Sequence, residues 1–205
     1  MTYTIRPMDK EDIAQVNEID REAFPTQWPP PNYYQEIKNK IAHYLVVYDN
    51  TRILSGSPHI HEKKPNKASW LFPWRKHALA VEIPPPEYYI VGFAGIWMLT
   101  DEAHITNLAV RGEYRRKGLG ELLLIALIDL ADELKARFMT LEVRASNLVA
   151  QSLYSKFSFM EMGVRRGYYI DNREDAIIMS TDVLSSYSFK EHIKQLREAL
   201  QKKLV

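Results

Sequence analysis

The sequence has no cysteine, which excludes a disulfide scaffold, a cysteine-ligated zinc site and a cysteine nucleophile. It has no apolar run near the roughly 20 residues of a membrane-spanning helix. Its first ten residues, Met1 to Lys10, are polar and mixed in charge, unlike a secretory signal. Charge is nearly balanced, with 27 basic and 26 acidic side chains giving a formal net charge of +1. That balance argues against a protein-wide basic surface for DNA, while a local patch stays open. No internal repeat is visible. These absences lead to the expectation of a cytoplasmic protein with no membrane partner, monomeric or dimeric.

What is present fits one domain with a real core: 205 residues, 46% of them hydrophobic and 26% charged. Thr2 to Arg6 alternates like a short strand. Ile13, Val16 and Ile19 keep helical spacing within a helix expected from about Lys10 to Phe24. The proline-rich stretch from Phe24 to Pro31 cannot be regular helix. A second helix is expected over Tyr33 to Lys40 and a strand over His43 to Tyr48. After an irregular segment, Tyr88 to Leu99 reads as a strand in which Gly92 and Gly95 mark bulges or close approaches. His104 to Val110 is a further strand. Leu119 to Leu134 is the strongest helix, with Leu119, Leu122, Leu123, Ala126, Leu127, Leu130 and Leu134 forming one stripe. A strand over Phe138 to Val143, a helix over Asn147 to Phe157 with Asn147 near its cap, and strands over Met162 to Ile170 and Asp175 to Met179 complete the series. An amphipathic helix from about Phe189 to Leu204 follows. Strands interrupted by helices imply a mixed α/β (α+β) domain with one central sheet.

The segment Arg115-Arg116-Lys117-Gly118-Leu119-Gly120 lies between a strand and the strongest helix. Glycines there let the backbone turn tightly and approach a ligand. Free amides at a helix start, together with the helix dipole, favour an anion. A pyrophosphate suits such a site, although an ordinary helix start with solvated cations reads the same way. The spacing is neither a Walker loop nor the dinucleotide fingerprint.

From these residues outward the chain resembles the GNAT acetyltransferase superfamily, in particular its RimI-type, archaeal-like protein N-terminal acetyltransferases. The resemblance runs through Asn107-Leu108-Ala109-Val110, the phosphate loop, Leu141-Glu142-Val143-Arg144-Ala145-Ser146-Asn147, Leu153-Tyr154, Gly167-Tyr168-Tyr169 and Glu174-Asp175-Ala176. It implies a mixed, largely antiparallel sheet whose middle splays open to admit acetyl-CoA, the acetyl donor, with no metal. It implies a domain over residues 1–180, with an insert at about 55–87 and a helical extension over 181–205. Backbone amides near Leu108, Ala109 and Val110 would hold the pantetheine arm and acetyl carbonyl. The loop from Arg115 through Arg116, Lys117, Gly118, Leu119 and Gly120 would hold the pyrophosphate, and Asn147 would touch the arm from the other side. Ser158 stands where the family has a glycine in a left-handed helix cap, which costs a serine roughly 1 kcal/mol.

Acetyl transfer to an amine requires that the amine lose a proton and that the oxyanion be stabilised, and a proton for the departing thiolate can help. The resemblance makes Glu142 the leading base and His104 a second candidate, with Tyr154 as the acid that serves the thiolate and also borders the cofactor. Glu142 read alone could instead be a strand-end carboxylate paired with Arg144, and His104 or Tyr154 could be structural. Phe24, Pro25, Trp28, Tyr33, Tyr168 and Tyr169 are expected to wall a cleft that admits an extended protein N-terminus, with a ribosomal protein or the ribosome as a compatible partner. Glu174 and Asp175 read as turn and strand-start residues. An acetyltransferase for small amines or lysine side chains, or a non-catalytic acetyl-CoA-binding subunit, are the alternatives. Within the insert, His59 and His61 alternate but lack an obvious third ligand, so a flexible loop is preferred to a metal site. Its cations and aromatics, including Trp70, Phe72 and Trp74, suit either a loop capping the substrate side or contact with RNA or a partner.

Overall fold

In the computed structural model, residues 2–26, 31–54 and 88–204 are described. The strands are β1 (Tyr3–Pro7), β2 (Ala42–Ile53), β3 (Tyr88–Leu99), β4 (Glu102–Val110), β5 (Phe138–Arg144), β6 (Phe159–Tyr169) and β7 (Glu174–Thr181). They form one seven-stranded sheet in the order β1-β2-β3-β4-β5-β7-β6. Every neighbouring pair is antiparallel except β4 and β5. The helices are α1 (Ile13–Ala23), α2 (Tyr33–Glu36), α3 (Leu119–Glu133), α4 (Leu148–Lys156) and α5 (Tyr187–Leu204). Among the described residues no helix is long and apolar enough to cross a membrane.

The central strands are buried on both faces, so Leu45, Val46 and Val47 run as continuous apolar sequence rather than alternating. Val46 joins Ile13, Val16 and Ile19 of α1 in one core cluster. Leu45 and Val47 join α3 and α5 in the other. Two of the expected boundaries differ. The helix after Asn32 lasts only one turn, because Ile37 and Lys38 already close it and the chain must reach β2 at Ala42. α3 is wider in its burial than a single stripe: Leu124, Ile125, Ile128 and Ala131 are also buried. The reason is α5, which packs Phe189, Ile193 and Leu200 into the same core and so covers a face of α3 that would otherwise meet water.

α5 runs antiparallel to α3. Lys190 pairs with Asp132, and Arg197 forms two hydrogen bonds of 2.9 and 2.6 Å with Asp129. Further along, Leu200 reaches Gly118 at the start of α3. At the end of α4, Ser158 takes a left-handed φ of +63°, so the serine accepts the conformation for which glycine is better suited.

Candidate active site

β4 and β5 pair over only three positions, Glu102 with Phe138, Ala103 with Met139, and His104 with Thr140. Beyond them the strands part and the sheet opens. A register shift between Gly95 and Ile96 of β3 sets Thr106 out of step in β4; bulges of this kind re-aim a strand beside a site. Past the bulge, the Arg111 N–H is donated to Val91 O of β3 at 2.9 Å. Alternation then turns the N–H groups of Leu108 and Val110 away from β3, toward the opening. The side chain of Ala109 is buried, so only its backbone is available.

α3 begins at the mouth of this gap. Its N-cap, Gly118, has φ +88° and Arg116 has φ +64°. Reversals of handedness on either side of Lys117 are what turn successive amides toward one point. A Cβ at Gly120 would lie 3.5 Å from Leu153 Cδ2, an ordinary contact, so here the glycine is not demanded by packing. The side chains of the loop divide. Arg115 donates to Val110 O at 3.1 Å and pairs with Glu22 at 3.4 Å. Lys117 lies over the Tyr114 ring, 4.6 Å from its centroid. An opened strand edge with turned-out amides, ending at a free helix start, fits an elongated ligand with an anionic end.

Around the last paired position of the gap four ionisable or polar side chains stand in a row: Glu142, His104, Thr140 and Glu102. His104 Nε2 is 3.1 Å from Glu142 Oε2. His104 Nδ1 is 2.9 Å from Thr140 Oγ1, and the Thr140 hydroxyl donates to Glu102. With its proton given to Glu102, the Thr140 oxygen must accept from Nδ1–H. Glu142 is only 9% exposed at its side chain. It is nonetheless held below the usual carboxylate range, chiefly by the hydrogen bond from His104 and further by the charges of His104 and Arg165, against the opposing effect of burial. Arg165 Nη2 lies 3.1 Å from Glu142 Oε1. The possible partnership of Glu142 with Arg144 is not formed.

Arg144 instead turns to the loop between β6 and β7. It pairs with Asp171 at 3.0 Å and Glu174 at 3.1 Å, stacks over Tyr169 at 3.8 Å, and donates to Thr26 Oγ1 at 3.1 Å. The turn between β6 and β7 is thereby tied to the chain leaving α1. Tyr168 is 44% exposed and its ring stands perpendicular to that of Tyr169. Phe24 packs partly into the core and Pro25 is exposed. Trp28 lies outside the described residues, as does the whole insert with His59, His61, Trp70, Phe72 and Trp74. Tyr33 requires a correction: it is 1% exposed and donates a 2.6 Å hydrogen bond to the carboxylate of Asp20. It packs edge-on against Tyr44 and Phe93, so it supports the core from within and cannot touch a substrate.

Tyr154 lies within α4, its ring 5.6 Å from that of Phe159. Burial pushes its phenol up, which keeps it a neutral donor. Asn147 caps α4, accepting from the Ala150 N–H at 3.1 Å. Its carbonyl is thus occupied, while the amide nitrogen is left for other contacts. Sequence reasoning missed Thr140, Glu102 and Arg165. Arg165 in particular meets Glu142 only diagonally, because a register shift between Glu161 and Gly163 displaces β6 against β7.

The sequence model described as the acetyltransferase (GNAT) family matches residues 13–159. A Bacillus subtilis protein, provisionally named a ribosomal protein bS18-alanine N-acetyltransferase, is 36% identical over 176 residues, 85% of this chain and 92% of that protein. An N-alpha-acetyltransferase of Saccharolobus solfataricus is 29% identical over 183 residues, 87% of this chain and 92% of its own. The crystal structure of the ribosomal-protein-S18-alanine N-acetyltransferase from Escherichia coli superimposes with a TM-score of 0.62 and 26% identity, covering 88% of this chain and 94% of that one. With the family matched across most of its length and the fold shared, the chain belongs to the acetyltransferase (GNAT) family of acetyl-CoA-dependent N-acetyltransferases.

Proposed function

We propose that the chain transfers acetyl from acetyl-CoA to the N-terminal amine of a protein, with a ribosomal protein as the first substrate to try. The observation that carries this reading is the contact of His104 with Glu142 at the last paired position of the opening between β4 and β5. A proton-accepting pair stands there beside strand amides free to bind an acyl oxygen. The Bacillus, Saccharolobus and Escherichia relatives are all named for transfer to an α-amine.

The thioester supplies the acyl group. Amides of Leu108 and Val110 line the opening, and those from Arg116 to Gly120 cap it. Glu142 and His104 act as one unit, with Nε2 3.1 Å from Oε2. With Glu142 held below the usual carboxylate range, the pair presents a proton acceptor to the opening. It takes the proton that the attacking amine loses. Tyr154 offers its O–H to the departing sulfur, a modest task because a thiolate leaves readily. An α-amine with a pKa of about 8 needs far less help than a lysine at about 10.4.

The incoming N-terminus would run between the tied walls at Phe24–Thr26 and Tyr168–Tyr169. The domain reading is a catalytic unit over 1–180 with an insert at 55–87 and a C-terminal helical extension over 181–205, a helix that shares the core. The test is a panel of peptides with free or blocked N-termini, including one beginning with alanine, incubated with acetyl-CoA and read by mass. The expected product is N-terminal acetylation of free peptides alone. Modification only of an internal lysine would overturn the proposal.

A further inference from the structure

The end of α5 lies against the start of α3. A Cβ built on Gly118 would stand 2.9 Å from Leu200 Cδ1, 3.7 Å from Leu204 Cδ2 and 4.0 Å from Lys203 Nζ. Leu200 is buried and Leu204 packs against the same core, so the helix end is seated on the loop rather than swinging past it. The register is fixed upstream by Arg197 on Asp129 and Lys190 on Asp132. The last turn thus brings an exposed ammonium to the loop from an element beyond the residues that match the family.

The chemistry of the loop gives this lysine a task. Of the three loop cations, Arg115 is drawn to Glu22 and Lys117 rests on Tyr114. Among the described residues, neither Arg116 nor Lys203 forms an ion pair. In addition, antiparallel packing sets the C-terminal, partly negative end of α5 beside the positive end of α3. Unanswered, that would weaken the field an anion meets at the α3 start. Lys202 and Lys203 in the last turn of α5 reverse the sign.

We propose that Lys203 is a phosphate-binding residue of the coenzyme site, contributed by the C-terminal helix, and that it pairs with a phosphate group of CoA at the Gly118 loop. This rests on the reading that the loop receives acetyl-CoA. Coenzyme A carries two candidate groups, the pyrophosphate and the ribose 3′-phosphate, and both present the same chemistry to an ammonium.

The experiment is calorimetric binding of CoA and of 3′-dephospho-CoA to the full chain, wild type against Lys203→Met, Lys203→Glu and Lys203→Arg. Lys194→Met, whose neighbour is Glu191 on the same helix, is the control. The expected result is a rise in Kd for CoA of about five-fold for Lys203→Met, more for Lys203→Glu, and near recovery for Lys203→Arg, as for one partly exposed charge-assisted contact. The difference shrinks as salt is raised, whereas a merely structural loss would follow neither charge sign nor salt. If 3′-dephospho-CoA erases the difference, the partner is the 3′-phosphate; if it preserves it, the partner is the pyrophosphate. Wild-type affinity in Lys203→Met and Lys203→Glu, with Arg116→Met weakened, overturns this inference alone. Failure of the wild-type chain to bind CoA overturns it together with the reading beneath it.

Discussion

Glu142→Gln is the sharpest perturbation of the proposed chemistry. Glutamine keeps the volume of a side chain that is only 9% exposed and can still hydrogen-bond His104, so folding should survive. What is lost is the charge that meets His104 and faces Arg165. A positioned general base contributes about 10²–10⁴-fold, and the lower end applies to an amine that is partly neutral already. With a pKa near 8, about a tenth of an N-terminal amine is neutral at pH 7 and about nine tenths at pH 9. Deprotonation of the amine therefore accounts for about tenfold of the wild-type advantage at pH 7 and almost none at pH 9.

kcat/KM of Glu142→Gln is expected to fall about 100-fold at pH 7, about 2.7 kcal/mol, with the deficit narrowing to about 10-fold at pH 9. Because the pair works as one unit, His104→Gln should cost a similar amount and the double variant little more. The assay is kcat/KM against a free N-terminal peptide from pH 6 to 9. Glu142, held below the ordinary carboxylate range, is ionised throughout that window. Losses that multiply to about 10⁴-fold in the double variant, or a deficit unchanged between pH 7 and 9, would refute the reasoning.

Tyr154→Phe removes one hydroxyl from a buried ring; kcat should fall about tenfold, below the usual 10²–10⁴-fold for general acid catalysis because a thiolate leaves readily, with KM for acetyl-CoA within about twofold. Steady-state kinetics check this, and an unchanged kcat would make Tyr154 a packing residue. Ser158→Gly relieves a left-handed serine at φ +63° and should raise stability by roughly 1 kcal/mol, or Tm by about 2–4 °C in a thermal melt. Glu174 is held to about 2 by hydrogen bonds from Ser146 and by Arg144. A depressed carboxylate stabilises the fold above its unfolded pKa and loses that effect as pH falls through the folded value. The stability gap between wild type and Glu174→Gln, from urea unfolding, should thus be full above about pH 4.5 and shrink progressively toward pH 2.

Much of the site was legible because its residues are tied to local patterns. The glycine at 118 marks a turn with positive φ, and the apolar run after it marks a helix, so the turn and the helix start can be read from spacing alone. Asn147 caps α4 as its residue type suggests. Glu142, His104 and Tyr154 were named from motif order, and the first two do meet. Other features depend on distance in space. Thr140 stands opposite His104 only because β4 and β5 pair for three residues before parting. Arg165 reaches Glu142 only through a bulged register, which shifts every later side chain along β6. Tyr33 looked like a cleft aromatic, but a buried carboxylate from Asp20 gives its hydroxyl a partner inside the core.

The sequence by itself determined the order of strands and helices and the turn at Gly118, because each depends on periodicity or on short-range backbone constraints, and it determined the family through motifs that stand in order along the chain. Only the tertiary structure decided which charges face one another. It gave Arg144 to the loop between β6 and β7 rather than to Glu142, brought His104 to Glu142, and set Lys203 beside Gly118. Those pairings follow from strand register and helix packing, which no local stretch of the chain specifies.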